Sequence, residues 1–393
     1  MEAYEKDGRL IIRLAGRIHS VNAEQTGSEI DRILAEHPGK TLCLDAEKLE
    51  YISSSGLRIL IRLCKSLPEK LMIRNVSAEV YDIFSVSGLT SIMQIEKKRR
   101  QISVAGCEVL GEGAFGTVYR LDEDTVVKVY RNGEKSLPII QNEQEKARQA
   151  FLSGIPTAIP VDIVQVGDQY GSMFEMINAQ NCNEIIVRDP GQLPGMISTY
   201  AAFLKKLHSL ETKPGELENA RDIYLRNLTV FGDVLPAAIR ERLEALLRKM
   251  PDDYHLIHGD IQMKNVMKSG DEMVLIDMDK ICTGNPVFEF ASLYTTYVLF
   301  SEDNSMDNQQ FLGISRETAD RIYYETLQCY LDHPEESKMT ETQRRIRLAA
   351  YLRFMTILMI EMKDVQSELR TIRIQHTIEH LKELTSEVDE LQI

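Results

Sequence analysis

The segment CEVLGEGAFGTVYRLDEDTVVKVYR, residues 107–131, constrains the fold more than any other stretch of the chain. Gly111, Gly113 and Gly116 have the spacing of a phosphate-cradling loop, in which absent side chains let backbone N–H groups approach an anion. The same spacing marks dinucleotide-binding folds, but those need a helix opening at the glycines. Here Val118 and Tyr119 read as a strand, DEDT (122–125) as a tight turn and VVKVY (126–130) as a second strand. A strand, a glycine loop and a strand do not make a dinucleotide site. Lys128 then lies between valines, placed either to pair with phosphates or to face solvent.

Three further segments bear on that choice. The helical pattern SLPIIQNEQEKARQAFLSG (136–154) carries Glu143 and Glu145. Residues two apart lie about 200° apart around a helix, so only one of them can turn inward to a lysine. HLIHGDIQMKNVM (255–267) sets Asp260 and Asn265 five residues apart, and MVLIDMD (273–279) follows with Asp277. Asp, Asn and Gly are ordinary turn residues. A carboxylate and an amide are also the hard oxygen donors that magnesium prefers.

In this order the four segments resemble the protein-kinase-like superfamily. H-G-D-x-x-x-x-N (258–265) parallels the kinase catalytic loop, with Gly259 in place of its arginine. H-G-D and I-D-x-D (276–279) are the pattern of the aminoglycoside phosphotransferase and choline kinase group. FLKKLHSL (203–210) is similar to that group's Leu-x-x-Leu-His helix, and GNPVFEFASLY (284–294) to its Gly-x-Pro stretch, with Glu289 where Asp is usual. No A-P-E-like segment follows Asp277, unlike a conventional protein kinase. The resemblance covers about residues 107–300. It implies a two-lobed α+β kinase-like fold with ATP and Mg2+ as cofactors and a small-molecule hydroxyl as acceptor. Gly111, Gly113, Gly116 and Lys128 would hold phosphates, and backbone around Glu175, Met176 and Ile177 would meet adenine. Counting back from GIPTAIP (154–160), as the group is arranged, favours Glu145 as the partner of Lys128 and leaves Glu143 at the surface. Asp260 would accept the acceptor's proton, and Asn265 and Asp277 would hold magnesium. His208 reads as a structural helix residue.

Ahead of these segments, the run EKKRRQ (96–101) reads as a solvated linker. Before it, strand-like RLIIRLAG (9–16), TLCLDA (41–46) and KLMIRNV (70–76) alternate with helical patterns over 23–37, 54–67 and 78–88. That alternation predicts an α/β domain, a sheet with helices covering one face. In LDAEKLEYISSSGLRIL (44–60), acidic residues and turns lead to three serines ahead of an apolar helical run. Serines there are ordinarily N-caps. The segment also resembles the STAS family of anti-sigma-factor antagonists, whose loop reads D-S-S-G-L, and the likeness extends over RNVSAEVYDIFSVSGLTSIMQI (74–95). The resemblance makes Ser54 the phosphoacceptor, with Ser53 where many members have Asp. It implies a regulatory protein partner, a switch kinase or an anti-sigma-like protein. A phosphate at a helix N-terminus is favoured by free N–H groups and adds charge that can break a docked interface.

Charge narrows the partners. Residues 1–100 carry 16 Lys and Arg against 14 Asp and Glu, and the remainder 30 against 46. That acidic balance argues against nucleic acid, whose phosphates need the opposite sign. No apolar run reaches the roughly 18 residues of a membrane span. Six cysteines without CxxC pairs point to a reduced, cytoplasmic protein. The helical remainder includes RLAAYLRFMTILMIEMK (347–363), apolar enough for a buried helix. The expected organisation is a STAS regulatory domain (1–100), a kinase-like N-lobe (101–178) and a C-lobe with a helical acceptor region (179–393). The expected function is ATP-dependent phosphorylation of a small alcohol. The alternative is a partner-switching regulator whose kinase-like half senses nucleotide or phosphorylates a protein.

Overall fold

The computed structural model describes residues 1–393 except 7, 114, 115, 271 and 305, and the side chains of 134 and 233. Two compact units emerge, one of residues 1–103 with 164–167, the other of 104–163 with 168–393.

In the first unit, β1 (Ala3–Lys6), β2 (Arg9–Ile18), α1 (Ala23–Glu36), β3 (Thr41–Ile52), α2 (Ser54–Ser66), β4 (Met72–Val76), α3 (Ala78–Val86) and β5 (Gln94–Lys97) follow in order. The sheet runs β1-β2-β3-β4-β5, antiparallel at its first pair and parallel thereafter. Alternate residues Leu10, Ile12 and Leu14 of β2 and Leu42 and Leu44 of β3 enter the core. Ile30 and Ile33, Leu60 and Leu63, and Val80 and Phe84 meet them from the three helices at i, i+3 or i+4 spacing. Each such side chain contributes about 1.5–3 kcal/mol of transfer free energy. The acidic stretch before Ser53, expected to be turns, continues instead as strand to Ile52. Leu49 and Ile52 stay buried, while register shifts against β2 fall beside Gly16, whose φ of 67° admits the irregularity.

β6 (Gln101–Ile102) closes the first unit, paired in parallel with Gln165 and Val166. The second unit opens with β7 (Val109–Glu112), β8 (Gly116–Arg120), β9 (Thr125–Tyr130), β10 (Pro160–Val166, of which 160–163 belong here) and β11 (Gln169–Glu175), ordered β10-β11-β9-β8-β7. Helix α4 (Leu137–Leu152) buries Ile140, Glu143, Ala147 and Ala150 along one stripe. A helical half follows: α5 (Cys182–Arg188) after β12 (Gln180–Asn181), then α6 (Leu193–Leu207), α7 (Ala220–Phe231) and α8 (Ala237–Lys249). The short strands β13 (Leu256–Ile257) and β16 (Cys282–Thr283) pair, and β14 (Val266–Ser269) and β15 (Glu272–Leu275) form a hairpin beside β12. The chain closes with α9 (Val287–Tyr294), α10 (Phe300–Glu302), α11 (Asp307–Leu312), α12 (Arg316–Tyr330), α13 (Glu336–Thr356) and α14 (Glu368–Glu387). The apolar run from 347 enters α13, buried nearly all round from Leu348 to Met355 against α9 and α14. Among the described residues no helix is long and apolar enough to cross a membrane.

Candidate active site

The glycine segment is a hairpin. β7 and β8 are antiparallel, with Gly113 N–H donating to Gly116 O at 2.9 Å; positions 114 and 115 between them lie outside the described residues. The three glycines do different work. A Cβ on Gly116 would lie 2.1 Å from Val129 O, so that glycine is required by the approach of β9. Among the described residues a Cβ on Gly111 would meet nothing within 4 Å, and one on Gly113 only Gly116 O at 3.9 Å. Neither is required by a close neighbour among the described residues.

β9 lies between β8 and β11, with Lys128 opposite Val118 and Ser172. Val127 and Val129 point into the core, so period-two alternation turns Lys128 and Tyr130 to the other face, toward α4. Lys128 Nζ donates to Glu143 Oε1 at 2.9 Å and to Asp277 Oδ1 at 2.9 Å. Burial opposes the ammonium, but Asp277 and Glu143 outweigh it and hold the Lys128 pKa above its ordinary value. Tyr130 Oη donates to the other oxygen of Glu143.

The expected partner of Lys128 is therefore corrected from Glu145 to Glu143. Glu145 is exposed and pairs with Arg148 at 3.0 Å. The buried stripe of α4 explains the exchange: Glu143 stands three residues after Ile140 and four before Ala147, whereas Glu145 falls on the opposite side. The apolar spacing of the helix carried this signal, and counting back from GIPTAIP overrode it.

The expected hinge is partly occupied by its own backbone. Glu175 ends β11 with its N–H donated to Ile159 O at 3.0 Å, and Met176 N–H donates to Asp124 O at 2.7 Å. Ile177 O accepts from Ala179 N–H at 2.9 Å. The amides of Glu175 and Met176 are thus committed, contrary to a direct role for them in meeting a base.

The catalytic-loop segment leaves β13 and enters β14, and Asp277 follows β15. Ile276 N–H donates to Asn265 O at 3.0 Å, which ties the two loops together. Asn265 Nδ2 donates to Asp260 O at 2.8 Å and lies 3.3 Å from Asp260 Oδ2. Asp277 takes up φ 64°, a left-handed conformation that aspartate tolerates better than most residues. Lys146 of α4 donates to Asp279 O at 2.8 Å and holds this turn from behind. Burial, then the nearby Asp277, push the Asp279 carboxyl up to about 6. Among the described residues no group of three or more His, Cys, Asp or Glu could hold a metal unaided. Magnesium that arrives on phosphates needs only one or two protein oxygens. Asn265 and Asp277, with Asp279 alongside, fit that requirement.

Two features explain H-G-D. Gly259 has φ 78°, and a Cβ there would lie 2.6 Å from Lys280 O, so no larger residue fits. Glu289, fully buried in the first turn of α9, accepts from His258 N–H at 2.7 Å and from Gly259 N–H at 3.0 Å. The glutamate that stands where Asp is usual therefore clamps the backbone of the catalytic loop. His208 Nε2 lies 3.5 Å from Glu289 Oε2, too long for a good hydrogen bond, and its Nδ1 meets Tyr330 Oη at 2.9 Å. Burial works against the Glu289 charge, but His208 and the His258 amide outweigh it and hold the carboxyl below its usual range. His208 is structural, as expected. Sequence reasoning missed Arg353 of α13, whose guanidinium lies 3.5 Å from Asp260 Oδ1; no motif surrounds it.

In the first unit Ser53, not Ser54, caps α2: its side chain accepts from Gly56 N–H at 3.4 Å. Ser54 is the exposed first residue of the helix.

A glycine hairpin, a lysine held by a helical glutamate, and an Asp–Asn loop beside a second Asp thus come together in the second unit. The Phosphotransferase enzyme family matches residues 106–321, and the STAS domain matches residues 1–102. The chain belongs to the Phosphotransferase enzyme family and carries a STAS domain at its N-terminus. BtrV of Bordetella bronchiseptica, whose name describes an anti-sigma factor antagonist, is 32% identical over 102 residues, 25% of this chain and 87% of that protein. Similar solved structures include a GDP complex of aminoglycoside 2'-phosphotransferase-IIIa, 13% identical, covering 78% of this chain and 98% of that one at TM-score 0.45. Another is aminoglycoside phosphotransferase APH(3'')-Id from Streptomyces rimosus, 13% identical, covering 79% and 99% at TM-score 0.40.

Proposed function

We propose that the chain transfers the γ-phosphoryl group of ATP to a hydroxyl of a small molecule, under control of its STAS domain. The observation that carries this is the meeting of Lys128, Glu143 and Asp277 in one ion-pair cluster, with Asp260 and Asn265 on the loop tied to Asp277 through Ile276 and Asn265. Lys128 would fix the phosphates, oriented by Glu143. Asn265 and Asp277 would hold magnesium, which when bound neutralises phosphate charge. Asp260 would orient the acceptor hydroxyl by accepting its hydrogen bond. The acceptor oxygen then forms a bond to the γ-phosphorus as the bond to the β–γ bridging oxygen breaks. ADP leaves with that electron pair, and the acceptor's proton passes to the Asp260 carboxylate. Most of the rate gain would come from positioning and from charge stabilisation. Residues 1–100 would act as the regulatory domain, 101–178 and 179–393 as the two lobes. Six free thiols fit a reducing compartment such as the cytoplasm. Asp260→Asn should keep ATP binding and lose transfer by orders of magnitude; undiminished ADP release with a working acceptor would remove Asp260 from the mechanism.

A second reading rests on Ser54. Its hydroxyl is exposed and is not spent on the helix cap, which supports a phosphoacceptor that switches a protein contact. In that reading the kinase-like half senses nucleotide or phosphorylates a protein. Phosphate mapping at Ser54 in protein from its native host, with and without Asp260→Asn, separates self-phosphorylation from a partner kinase.

A further inference from the structure

Arg353 stands among the charges of Asp260, Lys280, Glu361 and the buried Glu289, the last already spent on the His258 and Gly259 amides. Lys280 and Glu361 answer each other, Nζ to Oε1 at 3.1 Å. That leaves Asp260 and Arg353, whose NH2 reaches Asp260 Oδ1 only at 3.5 Å, the outer range of an ion pair. Asp260 is itself divided, since Asn265 and Gln262 approach its other oxygen at 3.3 and 3.4 Å. The side chains of Arg353 and Asp260 are 19% and 28% exposed, so solvent reaches both. Arg353 Nε has no partner at good hydrogen-bond geometry among the described residues; a polar neighbour of the guanidinium besides Asp260 is Oη of Tyr224, which interacts with it weakly. A guanidinium offers five donors in a planar fork that suits paired oxygens. Here NH2 makes only a long contact, next to the carboxylate proposed to receive the acceptor's hydroxyl.

We propose that Arg353 binds an oxyanion on the acceptor, a carboxylate or a phosphate carried close to the hydroxyl that is phosphorylated. The substrate class is therefore a small anionic alcohol. The proposal rests on the phosphotransferase reading of the same site. An ammonium placed beside Arg353 meets a like charge, which disfavours amino-sugar and choline-like acceptors despite the acidic balance of the chain. When the acceptor hydroxyl takes up Asp260, the guanidinium exchanges its long contact with that carboxylate for two short ones to the ligand. This assigns Arg353 to recognition. A residue that merely steadied Asp260 would affect every acceptor alike.

The test is calorimetry on the full chain with magnesium and a non-hydrolysable ATP analogue. Glycerate and glycerol 3-phosphate serve as the two anionic probes, glycerol as the neutral one, choline and kanamycin as cations. At least one anion should bind at least tenfold more tightly than glycerol or either cation, and which anion it is distinguishes carboxylate from phosphate. Arg353→Gln should weaken that anion by roughly 10- to 100-fold, as loss of a charge-assisted pair predicts, without changing glycerol. Arg353→Lys should restore part of the loss. The proposal is overturned if neither anion binds, if glycerol or a cation binds as tightly as both anions, or if Arg353→Gln leaves the anion's Kd unchanged. Far-UV circular dichroism checks folding; if Arg353→Gln does not fold, the order of the five probes on the parent and on Arg353→Lys decides. ADP release from magnesium–ATP with the same probes bears on phosphoryl transfer alone: binding without release strikes the proposed reaction and spares the anion site.

Discussion

Removing the carboxylate of Glu289 should unfasten the catalytic loop, and the size of the effect follows from two hydrogen bonds. Glu289 is fully buried and accepts from the amides of His258 and Gly259 at 2.7 and 3.0 Å. In Glu289→Ala both amides lose their acceptor where water is excluded. An orphaned buried donor costs about 1–3 kcal/mol, so the variant should lose about 2–6 kcal/mol. That is a large part of the roughly 5–15 kcal/mol by which a domain is stable. Glu289→Gln keeps one acceptor oxygen but turns an NH2 toward the second amide, and should lose about 1–3 kcal/mol. The chain has no tryptophan, so urea unfolding is best followed by far-UV circular dichroism. The pH dependence has a definite sign. Because the folded-state pKa of Glu289 is depressed, its stabilisation is complete above the unfolded carboxylate value of about 4.3 and is lost as pH falls through the lower folded value. The gap between parent and Glu289→Gln should therefore narrow as pH drops below about 4.3. A Glu289→Ala protein within about 0.5 kcal/mol of the parent at pH 7 would refute the clamp.

Three further outcomes are expected. Gly259→Ala forces a Cβ to 2.6 Å from Lys280 O at φ 78°, so it should cost more than the roughly 1–2 kcal/mol of a left-handed residue and lower the melting temperature; an unchanged melt would contradict that loop geometry. Glu143→Gln should raise the KM for ATP at least tenfold by loosening Lys128, whereas Glu145→Gln, at an exposed pair, should change neither KM nor stability by more than a few tenths of a kcal/mol; the reverse ranking would restore Glu145. Ser53→Ala should cost about 1 kcal/mol as a lost cap, while Ser54→Ala should be nearly neutral in a thermal melt, and equal losses would deny the capping assignment.

Much of the site was legible because its parts are local. The β8–β9 hairpin announced itself through Val118 and Val126 on either side of the DEDT turn, the glycine loop through its spacing, and Asp260 and Asn265 through their fixed offset. The corrections came where a choice depended on what packs behind a residue. Whether Glu143 or Glu145 faces Lys128 is decided by the core side of α4, visible in Ile140 and Ala147 but only when read as a stripe. The strand through Ile52 was hidden because its buried residues there, Leu49 and Ile52, are three apart, off the two-residue period of a regular strand, where the register against β2 shifts. The commitment of the Glu175 and Met176 amides depends on Ile159 and Asp124, which the chain brings back from elsewhere. Arg353 lies 93 positions after Asp260, in a helix whose own pattern reports only burial. Such a contact belongs to the packing of α13 and leaves no short-range trace.

The most direct measurement follows the phosphoryl group itself. The full chain is incubated with ATP labelled at the γ-phosphate, magnesium and a small-molecule extract of its native host, and label is divided between metabolites, inorganic phosphate and protein. Label should accumulate on a small hydroxyl compound, and Asp260→Asn should abolish that transfer while still binding ATP. Label found only on protein, or only as inorganic phosphate, would contradict the account.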